Sequence, residues 1–556
     1  MKIIVIGSVA AGTSVAAKAR RNTEEAEIVV YEQGKEISYS VCGIPYAIGG
    51  EVSSIEELTP RDTQWFKSRY NVDVKTEHSV VRIDKDNQTV QVRNLKTGEA
   101  FLDRYDTLVL ATGASPITPH PFDKSTYSNV FQVRTIENTR HIKDYIQMNQ
   151  VKSAVVIGAG FIGLEMTEQL TNLGINVSLV ELANQVMPSM DADMAFRVEE
   201  HLAEHGAALY LGDTVASIQG EQRAEQLLTT KGHTLGADMV ILATGVRPNT
   251  ALAEEIGIEL GKTKAIKVNT RMQTSVPTIY AVGDVVESFS LITGQPLYRP
   301  LGSTANKMGR IAGDVITGGT LEHRGILGTG IYRVFDLQIG QTGLTEKEAS
   351  HYGYEVEVLY NIKPDHADYL GGKEMTIKAL ADKASKRVLG AQIVGQNGVD
   401  KRIDVLATAI SFKAKAEDLF HLDLAYAPPF ATTKDPVLYT GMGLDNALNS
   451  NPLMSPEALI KRQGKGDSLY IIDTRSKNDY EKSHVKGAVH IPLADLRKRA
   501  NELDKTIPTV TYCNKGVTGN AAQNILLNLG FEAVFNLSGG NKNYQLYQQM
   551  LHSKKY

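Results

Sequence analysis

Ala154-Val155-Val156-Ile157-Gly158-Ala159-Gly160-Phe161-Ile162-Gly163-Leu164-Glu165 is an apolar strand that runs through G-x-G-x-x-G into a helical pattern, and the fold is read from it. Gly158 permits a tight turn, Gly160 lets a pyrophosphate approach backbone amides, and Gly163 lets the helix pack on the strand. A phosphate held there rests at a helix N-terminus. The next strand, Asn176-Val177-Ser178-Leu179-Val180, ends in Glu181, placed to accept hydrogen bonds from an adenosine ribose. An acid at that position repels a 2′-phosphate, and Leu182-Ala183-Asn184-Gln185 offers no cation to receive one. The segment therefore predicts a dinucleotide site that favours NADH over NADPH.

Working outward, a second and degenerate glycine loop stands at the start of the chain. In Gly7-Ser8-Val9-Ala10-Ala11-Gly12, Val9 takes the middle glycine's place. The loop still follows a strand, opens a helix expected over 13–21, and leads to a strand ending in Glu32. Two segments leave a strand by near-identical Thr-Gly turns: Ala111-Thr112-Gly113 and Ala243-Thr244-Gly245. A third strand, Thr278-Ile279-Tyr280-Ala281-Val282, delivers Gly283 and Asp284. Two dinucleotide units in one chain suggest FAD in the first and NADH in the second.

At 556 residues the chain is too long for one core and predicts three or four domains. A net charge of −4 gives no general attraction to nucleic acid or to an anionic membrane. No apolar run reaches the roughly 18 residues of a membrane span. The first residues enter a strand at once, which reads as a cytoplasmic protein without a signal peptide. The histidines are scattered without metal-ligand spacing, so no metal is expected. Only two cysteines occur, Cys42 and Cys513, and each lies in a context that makes sense of a reactive sulfur.

The paired glycine loops, paired Ala-Thr-Gly turns and Gly283-Asp284 together resemble the pyridine-nucleotide disulfide oxidoreductase family, to about Asn446. The resemblance implies an α/β chain with two Rossmann-like FAD and NAD domains followed by an α+β dimerisation domain. By that similarity the FAD domain covers 1–115 and 247–322, the NADH domain 116–246 and the dimerisation domain 323–446. Asp284 matches the aspartate that holds the FAD ribitol.

One branch of the family carries CxxxxC beside the flavin; here the fifth residue after Cys42 is Ala47. Cys42 must then cycle as a sulfenate or as a mixed disulfide with a small thiol. Ser38-Tyr39-Ser40-Val41-Cys42-Gly43 resembles the SFxxC signature of coenzyme A-disulfide reductases, with Tyr for Phe and Val41 for the usual asparagine. Ser38 joins the substrate site by that resemblance. Coenzyme A is rich in phosphate, so cations are expected near the thiol: Lys18 and Arg21, three apart on one helix, with Arg61, Lys67, Lys307 and Arg310. Ala425-Tyr426-Ala427-Pro428-Pro429 resembles the AYAPP segment of the same reductases, which implies a homodimer with Tyr426 reaching the site of the partner subunit. Tyr369 matches their second tyrosine, and either phenol is a plausible acid toward a departing thiolate. The NADH oxidase and peroxidase branch, which also uses one cysteine, is the alternative; its peroxidases carry a histidine at the position of Ala10.

After an Asn/Pro-rich stretch at 447–455, read as a linker, a new α/β pattern begins. Ile472-Asp473-Thr474-Arg475, Tyr480, His484, Gly487-Ala488 and Ile491-Pro492, with Cys513 at the following loop, resemble a rhodanese domain over 456–556. Amides from Asn514 to Gly519 are expected to form a nest for the sulfur at the start of a helix over 520–529. Lys515 supplies the fixed charge where many rhodaneses place an arginine at the position of Thr518. The combined expectation is an NADH-dependent flavoprotein reducing coenzyme A-linked persulfide, polysulfide or disulfide. Cys513 would carry sulfane sulfur, and the pantetheine arm would ferry it.

Overall fold

The computed structural model describes residues 1–124 and 126–553. They divide into two compact units, one formed by the described residues of 1–186 and 202–326, the other by those of 187–201 and 327–553.

The first unit contains two doubly wound sheets. β1 (Lys2–Ile6), α1 (Ala11–Asn22), β2 (Glu27–Tyr31), α2 (Ile44–Gly49), α3 (Thr63–Tyr70), β3 (Asp73–Lys75) and β4 (Thr107–Leu110) build most of the first. The chain then crosses to a second sheet of β5 (Val130–Gln132), β6 (Ser153–Ile157), α4 (Phe161–Asn172), β7 (Asn176–Glu181), β8 (Ala208–Leu211) and β9 (Met239–Leu242). It returns through β10 (Ile279–Ala281) and α5 (Gly302–Ile316). The orders are β10-β4-β1-β2-β3 and β8-β7-β6-β9-β5, parallel throughout. β1 and β6 sit centrally and read as unbroken apolar runs because helices cover both faces of a parallel sheet. The two crossings between the sheets pair with each other, Ala114–Pro116 antiparallel to Val246–Pro248.

In the second unit, β11 (Gly330–Val334), β12 (Leu337–Gly343), β13 (Val356–Pro364), β14 (Glu374–Asp382) and β15 (Val388–Gly395) form an antiparallel sheet in the order β11-β12-β15-β14-β13. Helices α6 (Val399–Ser411) and α7 (Pro436–Asn449) pack on it. A last parallel sheet, β16-β20-β19-β17-β18, is made by β16 (Leu453–Met454), β17 (Tyr470–Asp473), β18 (Val489–His490), β19 (Thr509–Tyr512) and β20 (Val534–Leu537).

Four expectations need correction. The first helix starts at Ala11 rather than 13, because the turn at Gly7 leads into it directly. The stretch 447–455 is no free linker: its first residues finish α7 and Leu453–Met454 pair with β20 as an edge strand. Residues 187–201, assigned to the NADH domain, cluster with the second unit, where the buried Lys378 ammonium is held by Asp191 at 3.1 Å and Asp193 at 2.9 Å. The helix after Cys513 runs Val517–Asn528, three residues early, since Gly516 takes φ +98° and turns the chain into it at once.

Candidate functional site

The two glycine loops are built alike. Gly7 (φ +103°) and Gly158 (φ +101°) adopt backbone that favours glycine, and a Cβ would stand 2.3 Å from the Ala111 carbonyl oxygen or 2.4 Å from that of Ala243. Those carbonyls open the two Ala-Thr-Gly turns, which explains why the turns are near-copies. Thr112 Oγ1 donates to Asn249 at 2.9 Å and Thr244 Oγ1 to Ile117 at 2.8 Å, fastening the paired crossings; Gly113 and Gly245 complete the turns at positive φ. Gly12 and Gly163 sit where a Cβ would strike the first glycine's own carbonyl. Gly160, by contrast, faces open space within 4 Å, room that a pyrophosphate requires.

Each loop is bound to its acid. Glu32 accepts from the Ser8 amide at 2.8 Å and hydroxyl at 2.9 Å; Glu181 accepts from the Ala159 amide at 2.7 Å and the Ala183 amide at 2.8 Å. Ala10 precedes α1 and Ala11 begins it, so small side chains line the approach. Asp284, beyond β10, is pushed up from its ordinary value by burial, while Arg134, 3.4 Å away, pulls against this. A partly buried carboxylate this weakly compensated fits a donor-rich polyol. The residues present therefore suit both an FAD and a nicotinamide dinucleotide.

Cys42 lies in a 3₁₀ turn, Val41–Gly43, that runs straight into α2. The residue as a whole is exposed. Ser38, at φ +50°, donates its amide to Ser8 at 3.0 Å and so joins the cysteine loop to the first glycine loop. On the other side α2 packs on α4: Tyr46 donates to Glu165 at 3.1 Å, and a Cβ at Gly49 would fall 1.8 Å from Gln169 Oε1. Lys143 donates to the Ala47 carbonyl at 2.8 Å. The thiol is thus held between the two dinucleotide folds. Partial burial pushes it above its ordinary value, the carboxylates of Glu165 and Asp284 add to this, and Arg134 opposes it. Glu165 and Arg134 are the neighbours that sequence reasoning missed; Glu165 ended the opening motif in plain view.

The candidate cations separate into groups. Arg21 donates to the Tyr70 hydroxyl at 3.0 Å and Arg61 lies 4.9 Å over Trp65; the two rings meet edge to face at 5.6 Å, so α3 brings these guanidinium groups onto one aromatic surface. Lys18 instead points to α5, where Asp314 holds it at 2.9 Å, and Lys67 pairs with Asp73 at 2.8 Å. Lys307 and Arg310 are exposed on α5. The spacing that put Lys18 and Arg21 on one face is met, but the side chains diverge to different helices.

Within the second unit, Tyr426 is half exposed and Tyr369 is 79% exposed. Their loops are joined by the Ala367 amide, which donates to the Pro428 carbonyl at 3.3 Å. Beside Tyr426, Ala427, Pro429 and Phe430 line a cavity of about 630 Å³. Arg402, which is buried and pairs with Asp435 at 2.8 Å, also lines it.

Cys513 is buried at the end of β19, and its Sγ accepts from the Gly516 amide at 3.2 Å. The expected nest contributes that bond; other loop bonds brace the backbone, with Asn541 and Lys542 amides donating to the Cys513 and Asn514 carbonyls at 2.8 and 3.1 Å. Lys515 is taken by Glu374 of β14. Arg475, not singled out among the site residues, is locked by Asp473 at 2.6 Å and reaches Asn514 at 3.4 Å.

Comparison with known proteins agrees with this layout. Residues 1–301 match the family described as pyridine nucleotide-disulphide oxidoreductase, 331–436 its dimerisation domain and 455–546 the rhodanese-like domain. The chain is 40% identical over 439 residues to an NADH oxidase of Methanocaldococcus jannaschii, covering 79% of this chain and 97% of the relative. It is 36% identical over 441 residues to an NAD(P)H coenzyme A polysulfide/persulfide reductase of Pyrococcus horikoshii, covering 79% and 97%. The crystal structure of reduced Bacillus anthracis CoADR-RHD superimposes with a TM-score of 0.94 at 37% identity, over 100% of this chain and 98% of that one.

Proposed function

The chain belongs to the pyridine nucleotide-disulphide oxidoreductase family, and from that premise we propose that it reduces coenzyme A-linked persulfide, polysulfide or disulfide at the expense of NADH. The observation that carries this reading is one exposed cysteine, Cys42, held between two dinucleotide folds, with the chain's one other cysteine far along the sequence at position 513.

FAD and NADH, when bound, would supply the two electrons needed to return Cys42 from a mixed disulfide to its thiolate. Glu32, Thr112, Gly113 and Asp284 would hold the first and Gly160, Gly163 and Glu181 the second. The Cys42 thiolate attacks the coenzyme A sulfur; the Cys42–S–S–coenzyme A mixed disulfide forms, the substrate's own S–S bond breaks, and the distal sulfur leaves with the electron pair. The leaving sulfur needs a proton, which Tyr426 and Tyr369 would supply from the partner subunit. A second copy covering the exposed Tyr369, Tyr426 and Phe430 fits both that role and the apolar character of this face. Arg21 and Arg61, with Lys307 and Arg310, would receive phosphates; Lys18 and Lys67 already carry carboxylate partners and contribute less. At Cys513 the proposed role is transient carriage of sulfane sulfur. No helix of the described residues is long and apolar enough to cross a membrane.

A second reading, NADH oxidation by oxygen or peroxide, is favoured by the Methanocaldococcus relative. Parallel steady-state assays of NADH loss with coenzyme A persulfide, coenzyme A disulfide, peroxide and oxygen separate the two. Faster turnover with either coenzyme A substrate is expected; faster turnover with oxygen or peroxide would replace the first reading by the second.

A further inference from the structure

Three features outside the Cys513 loop bear on its sulfur. β13 lies against the loop that cradles the cysteine. The Tyr360 amide donates to Ser538 Oγ at 2.8 Å, and a Cβ at Gly539 would stand 3.0 Å from the Tyr360 Cβ. The adjoining Gly540 is so close that its Cβ would be 2.3 Å from the Cys513 carbonyl oxygen. Three residues along β13 from Tyr360, Lys363 rests its ammonium 3.7 Å above the Tyr439 ring, and Lys434 approaches the same ring at 6.0 Å. Neither ammonium is paired with a carboxylate among the described residues. Finally, Pro364 pairs in register with Glu374, and Glu374 receives both Lys515 and Lys542 from the cysteine side.

Glu374 thus answers Lys515 and Lys542 only, while Lys363 and Lys434 add two ammonium groups with no carboxylate partner among the described residues on the side of β13 that meets the cysteine loop. Such an excess of positive charge is an anion site. Lys363 responds to it: burial and the neighbouring Lys515 lower its proton affinity, and the Cys513 sulfur raises it again.

We propose that Lys363, contributed by the antiparallel domain, completes the anion site of Cys513 and stabilises both its thiolate and the persulfide it forms with a small anionic sulfane-sulfur donor. The proposal rests on the reading of Cys513 as a sulfur carrier. In the transfer, the thiolate attacks the donor's terminal sulfur; one S–S bond forms, the donor's own S–S bond breaks, and the donor leaves as an anion with the electron pair. With thiosulfate the products are the Cys513 persulfide anion and sulfite, with no net oxidation. Lys363 is a positioning residue, acting through charge on the cysteine's sulfur.

The test uses the full chain with Lys363→Met, Lys363→Gln and Lys363→Arg. Peptide-resolved mass spectrometry reads the alkylation rates of Cys513 by anionic iodoacetate and by neutral iodoacetamide. Their ratio reports local positive potential and is insensitive to a change of access common to both reagents. Lys363→Met and Lys363→Gln should lower the ratio on the order of threefold to tenfold, and Lys363→Arg should keep it near wild type. In the wild-type chain alone, added salt should lower the ratio as the cation field is screened. A ratio unmoved by neutralising Lys363, equal losses in the Arg and Met variants, or a salt-independent wild-type ratio would overturn the proposal. Incubating wild type with thiosulfate separately tests sulfur carriage: no added sulfur on Cys513 would defeat the carrier reading while the alkylation ratio still decides whether Lys363 makes an anion site.

Discussion

At the scale of single residues, the proposed reaction requires a thiol with raised proton affinity to be made reactive. Burial first, then Glu165 and Asp284, keep Cys42 protonated further up the pH scale than a free cysteine. Reaction through the thiolate must therefore gain rate as pH rises toward that value. Replacing Glu165 by Gln removes one repelling charge and keeps an acceptor for Tyr46; the rising limb of the pH profile should move to lower pH. Measurement of kcat/KM for a coenzyme A disulfide against pH checks this, and an upward shift would contradict it. Glu181 makes a second prediction. Its carboxylate holds the Ala159 and Ala183 amides where a 2′-phosphate would be repelled. NADH should exceed NADPH in kcat/KM, and Glu181→Gln should narrow the ratio by about tenfold, the equivalent of about 1.4 kcal/mol.

At the scale of elements, glycines let α1 and α5 pack backbone to backbone. A Cβ at Gly309 would lie 2.4 Å from the Ala11 carbonyl oxygen and one at Gly313 2.6 Å from that of Val15. Gly309→Val should force these helices apart, at a cost of about 1–3 kcal/mol, and loosen the first glycine loop with them. Flavin content after purification and the thermal midpoint check this, both being expected to fall. Here the sequence was legible where local chemistry decides the backbone: glycine turns, apolar parallel strands and terminal acids all report themselves within a few residues. It was silent where distant segments meet. Lys18 and Arg21 share a helical face, yet Asp314 and Tyr70 draw them to different neighbours. The Asn/Pro-rich stretch reads as a linker because its strand is only two residues long and exists through pairing with β20.

At the scale of the molecule, residues 187–201 illustrate the same limit. A contiguous NADH domain is the natural reading, but the pull of Lys378 lies far along the chain: its side chain is 2% exposed and its ammonium also meets Glu346 at 2.9 Å. Burial works against ionising Asp193, yet Lys378 outweighs it and keeps the carboxylate below its usual range. Lys378→Met would leave these carboxylates facing one another and should cost about 3–5 kcal/mol. Urea unfolding followed by a probe in the second unit checks this, and an unchanged midpoint would contradict it. The Asp193 contribution is present above the ordinary carboxylate range and is lost as acid titrates through its lowered value. In the proposed reaction the electrons converge on the Cys42 sulfur, and that atom gives the most direct test. Anaerobic NADH oxidation with coenzyme A persulfide should fall by at least a hundredfold, about 2.7 kcal/mol or more in barrier, in Cys42→Ser while the flavin remains bound at wild-type stoichiometry. A serine variant that turns over at the wild-type rate would contradict the account.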